Sequence, residues 1–377
     1  MEKQQDIFIS KINIKNVRHL KDIEIPISDQ ERKHLIFTGK NGSGKTSTLR
    51  ALQQYFRSVE NGDHRSFRFR NDNSVFSIKL RPDNKLSFFN SYHEGNFIIT
   101  FFDAKRLNKS KTPNGITKFN FKKTYRSDEN ASLNFIQHIV NLKADKSFAN
   151  DDNEIEVVQA INNWFNRFEN ALKQLFEDET LTLKFDRKNY TFHILSKGKE
   201  PFTFNELSDG YSAVLHIVTE LIMRMEGQNV RSYNIQGIVM IDEVEAHLHI
   251  ALQKKILPFL TAFFPKIQFI VTTHSPFVLN SIENAVIYDL ENELLVEDLS
   301  GLSYDGLVES YFLADKYSSV LKEKVAEYEK LLNQSVLSEK ENSRLFFLEQ
   351  YFQELPKFNA PELQVKLQQL QFAKLNA

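Results

Sequence analysis

Three groups of residues have the types and spacing for chemistry on phosphates. The first is Gly39-Lys40-Asn41-Gly42-Ser43-Gly44-Lys45-Thr46, which fits G-x-x-x-x-G-K-[ST]. Its glycines let the backbone wrap closely round an anion with its N–H groups pointing inward. Glycine is scarce here, 12 of 377 residues, so this cluster asks for a backbone reason. Lys45 should reach the β- and γ-phosphates of a nucleotide, and the Thr46 hydroxyl should hold Mg²⁺. The second group is Asp242-Glu243, which follows the apolar run Ile238-Val239-Met240-Ile241. Asp242 would anchor Mg²⁺, and Glu243 would polarise an attacking water as general base. The third is Thr272-Thr273-His274-Ser275-Pro276, where His274 could bond the γ-phosphate and that water. Read alone, a lone histidine is more often structural. A weaker element, Leu207-Ser208-Asp209-Gly210-Tyr211-Ser212, offers Ser208 and Gly210 at a helix start, which suits an anion or serves as a plain cap.

These residues need elements to place them. An apolar strand at Leu35-Ile36-Phe37 runs into the glycine loop, and a helix over 45–57 runs out, with the helix N-terminus adding a favourable dipole. Buried strands at 236–241 and 267–272 would deliver the acid pair and His274 at their C-terminal ends, where open α/β sheets place ligands. Helices over 212–226, 247–262 and 276–282 alternate with those strands, which implies a parallel, doubly covered sheet.

Upstream, Ile7, Ile9, Ile12, Ile14, Ile23, Ile25 and Ile27 alternate with polar residues, a strand pattern. Short strands are expected from Ser74 to Phe102, with turns at Pro82-Asp83-Asn84 and Glu94-Gly95-Asn96. Residues 131–178 read as helical with an acidic break at Asp151-Asp152-Asn153. Strands near Leu181–Phe185 and Tyr190–Leu195 follow. From Gly306 onward the chain reads as helices, one with the face Leu321, Val325, Tyr328, Leu332.

Composition bounds the alternatives. There is no cysteine, which excludes disulfides, Cys-ligated zinc, iron–sulfur clusters and thiol catalysis. Net charge is -1, so only a local patch could announce a nucleic acid. Residues 105–126 form such a patch: Lys105, Arg106, Lys109, Lys111, Lys118, Lys122, Lys123 and Arg126, with no acid. Phe119, Phe121 and Tyr125 are interleaved, so the segment could follow a phosphate backbone and stack on bases, or be a solvated loop. No apolar run approaches the roughly 20 residues needed to cross a bilayer. The start, Met1 to Ser10, has no secretory pattern, so a cytoplasmic protein without membrane partners is expected.

The order of motifs separates nucleotide-hydrolase classes. RecA-like and AAA+ modules bring the acid pair soon after the phosphate loop. Here the Ser208/Gly210 element comes between Gly39 and Asp242. That order resembles the ABC-type ATPases of the SMC/RecF class, and most closely the overcoming-lysogenization-defect-like ATPases. Ile12-Asn13-Ile14-Lys15-Asn16-Val17-Arg18, Ile241-Asp242-Glu243-Val244-Glu245-Ala246-His247-Leu248-His249 and Thr273-His274-Ser275-Pro276 carry the likeness.

The resemblance covers about residues 7–290. It implies an α/β fold, an ABC-type ATPase head in which a P-loop parallel sheet joins an N-terminal antiparallel β region. The domains expected are residues 1–300, with a helical insert at about 104–200, and a helical region at 301–377. It implies ATP and Mg²⁺ as cofactors. Gly39, Asn41, Gly42, Ser43, Gly44, Lys45, Thr46, Ser47 and Arg18 would bind the nucleotide. Thr46 and Asp242 would hold the metal, and Glu243 and His274 would hydrolyse. Ser208 and Gly210 would complete the site in trans, across a homodimer or higher homo-oligomer. Asp209, Tyr211 and Val244 depart from the usual signature, and no glutamine lid is evident, although Phe101–Arg106 lies where that loop would be expected.

Sustained heptads for a long coiled coil are missing, and no D-x-D follows Pro276, so no Toprim nuclease is expected in this chain. His247 and His249 are two apart, the wrong spacing for one helical face, so Glu245, His247 and His249 are not expected to bind metal. A head with a helical tail resembles the ATPase subunits of Septu-type phage-defence systems, which implies a separate HNH-type nuclease partner. The alternatives are a RecF-like DNA-repair ATPase and, less favoured, a transporter ATPase.

Overall fold

The computed structural model describes residues 6–62, 69–71, 74–106, 110–227, 233–296, 319–332 and 337–354, plus positions 299, 301, 306 and 334. The chain divides into two compact units, Met1–Leu302 and Ser303–Ala377.

The first unit begins with strands β1 (Phe8–Val17) and β2 (Leu20–Pro26), paired antiparallel. The isoleucine alternation changes phase between Ile9 and Ile12. The backbone gives the reason: the pairing of β1 with β5 (Ser74–Arg81) shifts register between Ile9 and Lys11. Such an irregularity returns the apolar side chains to the same face, and Ile9, Ile12 and Ile25 are all fully buried. Strand β4 (Phe69–Asn71) completes this four-stranded antiparallel sheet, in order β2-β1-β5-β4.

The second sheet carries the residues expected to act on phosphates. Its strands are β3 (His34–Thr38), β6 (Phe97–Phe102), β10 (Gln236–Ile241), β11 (Ile267–Thr272), β12 (Ala285–Asp289) and β13 (Leu294–Val296). They lie in the order β13-β12-β3-β11-β10-β6, parallel except for β13. The five parallel strands are buried throughout, in keeping with their mostly apolar sequences. Gly237 is fixed by close approach, because a Cβ there would stand 2.6 Å from the Ile98 carbonyl of β6.

Two buried amides join the sheets. Gln236 accepts the Ile7 N–H at 2.6 Å, and Gln268 both accepts from Ile9 N–H and donates to its carbonyl, at 2.7 and 3.0 Å. They satisfy the backbone of β1 where it leaves its own sheet.

Helix α1 (Lys45–Glu60) follows the glycine loop. The strands expected across 74–102 are corrected in one place: Lys85–His93 is a helix, α2. Asn84 caps it by accepting the Ser87 N–H at 2.9 Å, and Phe88 and Tyr92, four apart, bury together.

The insert contains α3 (Phe135–Asp151), α4 (Ile155–Phe176) and a small sheet of β7 (Thr182–Asp186), β8 (Thr191–Leu195) and β9 (Phe202–Thr203), so it is not wholly helical. Helix α5 (Asp209–Glu226) returns from it and is buried along most of its length. Trp164 of α4 donates to Glu226 of α5 at 2.9 Å.

The single helix expected over 247–262 is also corrected. The chain makes a turn and then two short helices, α6 (Ile250–Gln253) and α7 (Ile256–Phe263). His247 takes a positive φ of 66°, and Pro258 falls in the first turn of α7, where a missing N–H costs no helical bond. Helix α8 (Pro276–Leu279) is a single turn.

In the second unit, helices Ser319–Leu332 and Glu339–Glu354 share a core of Val325, Tyr328, Leu331, Leu345 and Leu348. The rest of the helical region expected from Gly306 to the end, including residues 355–377, lies outside the described residues. Among the described residues, no helix is long and apolar enough to cross a membrane.

The His34 imidazole, at the start of β3, is pushed down to about 4 by burial and then by the nearby Arg32 cation. Its Nδ1 accepts the Phe269 N–H at 3.1 Å, which the neutral ring can do. The unfolded ring titrates near 6.5. As pH falls from 6.5 towards 4, the unfolded chain gains a proton that the folded chain refuses, which costs about 3 kcal/mol of stability. His34→Asn keeps an acceptor oxygen and cannot titrate. In urea unfolding at stepped pH it should lose about 3 kcal/mol less than the parent over that range. Equal losses would contradict this.

Candidate functional site

The loop between β3 and α1 has the expected glycine geometry. Gly39, Gly42 and Gly44 take φ of 129°, 87° and 98°. A Cβ on Gly39 would come within 2.8 Å of Ser43 Oγ, and one on Gly44 within 2.8 Å of Leu20. Lys45 donates to the carbonyls of Gly39 and Lys40 at 2.8 and 2.9 Å. Burial lowers its pKa, and the acids Glu243, Glu245, Asp242 and Asp289 oppose that.

Strand ends bring the other groups to the same edge. Strand β11 lies between β3 and β10, so the ends of three neighbouring strands meet. Asp242 Oδ1 accepts from Thr46 Oγ1 at 3.1 Å and from Thr272 Oγ1 at 2.7 Å. The Thr272 oxygen in turn accepts the Glu243 N–H at 2.7 Å. One hydroxyl therefore ties both acids to the neighbouring strand. Glu243 takes a positive φ of 44°, which a residue with a Cβ seldom adopts.

His274 donates its N–H to Glu245 at 2.6 Å. Its ring is held below the ordinary histidine value by burial first and then by the Lys45 charge, against the pull of Glu245, Glu243 and Asp242. It is therefore neutral at physiological pH and able both to donate and to accept.

A cavity of about 220 Å³ collects most of the expected residues. Asn41, Gly42, Gly44, Lys45, Thr46 and Ser47 form one wall, and Glu243 and His274 another. Arg18 and His19, from the turn between β1 and β2, close a third. Gly39 and Ser43 lie within the loop, and Asp242 sits behind Thr46. Ser43 Oγ is buried without a hydrogen-bond partner among the described residues. Gly42 and Gly44 beside the Lys45 ammonium fit a polyphosphate. Ser208 and Gly210 do not line this cavity. Ser208 is the N-cap residue of α5, as the cap reading has it, but it is exposed and its side chain makes no cap bond. Gly210 lies against the His247 carbonyl, 3.0 Å from where a Cβ would be.

Three participants escaped the sequence reading as site residues: Thr272, Glu245 and Arg106. Thr272 had a signal, a hydroxyl residue closing a strand two positions before His274. Glu245, set aside as a metal ligand, instead holds the His274 backbone. Among the described residues, no group of three or more His, Cys, Asp or Glu could hold a metal ion by themselves.

Arg106 corrects the reading of residues 105–126 as one basic strip. It is buried, 4 % exposed, with its guanidinium on backbone carbonyls at the acid pair. Lys122 pairs with Glu129 at 2.7 Å, and Arg126 lies 3.5 Å from Asp128. Gln137 and Asn141 of α3 donate to the Gly115 and Thr117 carbonyls, so the segment is tied down rather than a loose loop. Lys109 lies outside the described residues.

The chain resembles known proteins in sequence. A family model described as "AAA domain, putative AbiEii toxin, Type IV TA system" matches residues 76–280, and one described as "AAA ATPase domain" matches residues 8–85. The chain belongs to this AAA-domain ATPase family. It is similar to the Septu protein PtuA of Bacillus mycoides (strain KBAB4), 28% identical over 336 residues, which is 81% of this chain and 44% of that protein. It is also similar to the Retron Ec83 probable ATPase of Escherichia coli, 32% identical over 164 residues, 43% of this chain and 29% of that protein. The chain thus spans less than half the length of these curated relatives. Among solved structures, an SMC head bound to the C-winged helix domain of ScpA matches with a TM-score of 0.41 and 13% identity, over 75% of this chain and 94% of that one.

Thr272→Val removes the hydroxyl shared by Asp242 and the Glu243 N–H. It should destabilise the chain by about 1–3 kcal/mol in denaturant unfolding, and Thr272→Ser should restore most of that. Equal stability of Thr272→Val and the parent would contradict the shared bond. In nucleotide-free protein, the His274 ring should titrate below 6.5 by NMR. A midpoint at or above that value would contradict the field described here.

Proposed function

We propose that this chain binds ATP with Mg²⁺ and hydrolyses it as the regulatory subunit of a bacterial anti-phage defence complex, controlling a separately encoded nuclease. The observation that carries the hydrolytic part is convergence. Lys45, Thr46, Glu243 and His274 face one cavity, and Asp242 stands behind Thr46. The loop N–H groups and Lys45 bind the phosphates, and Lys45 neutralises charge that builds on the β–γ bridge. Mg²⁺, held by Thr46 and Asp242, would draw charge from the β- and γ-oxygens when bound. Glu243 takes the proton of a water aligned with the γ-phosphorus, and neutral His274 donates to the γ-phosphate. Arg18 and His19, which line the cavity beside Gly44, reach the nucleotide from the turn between β1 and β2.

Ser208 and Gly210 act in trans in this reading. They lie outside their own chain's cavity, and the Ser208 hydroxyl is exposed and unused by its helix. Two copies facing each other would offer those hydroxyls, with the α5 N-termini, to each other's γ-phosphates. The dimer, or a larger homo-oligomer, would therefore close on ATP and open after hydrolysis.

Similarity to the Septu protein PtuA and to two retron probable ATPases supports the defence role. An HNH-type nuclease partner and a cytoplasmic setting belong to this reading, the partner by the resemblance to Septu-type ATPase subunits. A RecF-like role gripping DNA through residues 105–126 is less favoured, because Arg106 is buried and Lys122 is already paired with an acid.

Lys45→Ala should abolish ATP binding by calorimetry. Glu243→Gln should bind ATP, stop turnover and run as a stable dimer on size exclusion with ATP. Wild-type turnover by Glu243→Gln would overturn the general-base role. Ser208→Arg should bind ATP as a monomer and fail to dimerise; an ATP-dependent dimer of that variant would overturn the trans role.

A further inference from the structure

We propose that Arg106 is a positioning residue for hydrolysis, holding the turn that carries Glu243 in the conformation that faces the cavity. The proposal rests on the ATPase reading above and goes beyond it. Arg106 lies in the short turn after β6, where the chain leaves the sheet to enter the insert. Its Nη1 donates to the Asp103 carbonyl at 3.1 Å and to the Asp242 carbonyl at 2.9 Å. Its Nη2 donates to the Glu243 and Val244 carbonyls at 3.0 and 2.8 Å. Three successive carbonyls of the acid-bearing turn thus converge on one guanidinium.

That turn needs such a partner for two reasons. Glu243 is left-handed at φ 44°, a conformation that relaxes unless its surroundings over-determine it. The turn also crowds the carboxylates of Asp242, Glu243 and Glu245 beside carbonyl dipoles pointing one way. A buried cation offsets both, and only a planar fork of donors spans three carbonyls; lysine offers a single point of charge. Burial draws the Arg106 pKa down to about 10, against the pull of Glu245, Asp242 and Glu243, so it remains charged at neutral pH. Arg106 does not line the ATP cavity, and its influence on the reaction must pass through the backbone of 242–244.

The test compares Arg106→Ala and Arg106→Lys with the parent in steady-state ATP turnover, ATP affinity and thermal melting. Arg106→Ala should lose on the order of a hundredfold in kcat, as a misplaced base does, with ATP affinity unchanged. Millimolar guanidinium should restore part of that turnover, and should do nothing for the parent or for Glu243→Gln. Wild-type kcat in Arg106→Ala, or a kcat loss matched by lost ATP affinity and untouched by guanidinium, would overturn the proposal. Should Arg106→Ala fail to fold, Arg106→Lys decides: lowered kcat at unchanged affinity supports the role, and unchanged kcat overturns it. An inactive Glu243→Gln beside fully active Arg106 variants defeats only this proposal. An active Glu243→Gln defeats the hydrolytic reading itself.

Discussion

Everything at this site depends on one carboxylate oxygen. Asp242 Oδ1 receives the hydroxyls of Thr46 and Thr272, and so fastens the helix after the glycine loop to the ends of two strands. The fastening is possible because β3, β11 and β10 are parallel neighbours that end at the same edge. The phosphate-binding loop, the histidine and the acid pair are far apart in sequence and meet only through that register. A slip of one residue in any of the three strands would turn its side chains to the other face and dissolve the cavity.

The insert is joined to the functional elements at its entry and near its exit. At its entry, Arg106 gathers the carbonyls of the acid-bearing turn. Near its exit, Tyr211 of α5 stacks on Phe176 of α4, with ring centroids 4.2 Å apart and planes 7° from parallel. Tyr211 follows Gly210 in the element expected to act in trans. A departure from the usual signature therefore has a structural use, because the aromatic ring joins the helix start to the insert. The acid-bearing turn and the start of α5 are thus both tied to the insert.

The parts legible in the sequence were those where chemistry forces a short-range pattern. Gly39, Gly42 and Gly44 announced the loop because only glycine suits those backbone angles and contacts. The buried strands 236–241 and 267–272 were readable to the residue, since each is mostly apolar and fully buried. What stayed hidden depends on partners distant in sequence. Arg106 looked like one more cation in a basic run, and nothing local shows that its partners lie at 242–244. Gln236 and Gln268 look like ordinary polar residues at strand starts, yet they join two sheets. Lys85–His93 has a weak local helical pattern, and its formation turns on a capping bond from Asn84 and on two buried aromatics.

The central claim is that this strand edge holds Mg²⁺ and the triphosphate together. The most direct measurement is a crystal structure of the chain with a non-hydrolysable ATP analogue and Mg²⁺. The account predicts the triphosphate inside the Gly39–Lys45 loop and Mg²⁺ about 2.1 Å from Thr46 Oγ1. Asp242 should meet the ion directly or through one water, and Glu243 and His274 should face the γ-phosphate. A nucleotide bound elsewhere, or a Mg²⁺ ion that touches neither Thr46 nor Asp242, would contradict it.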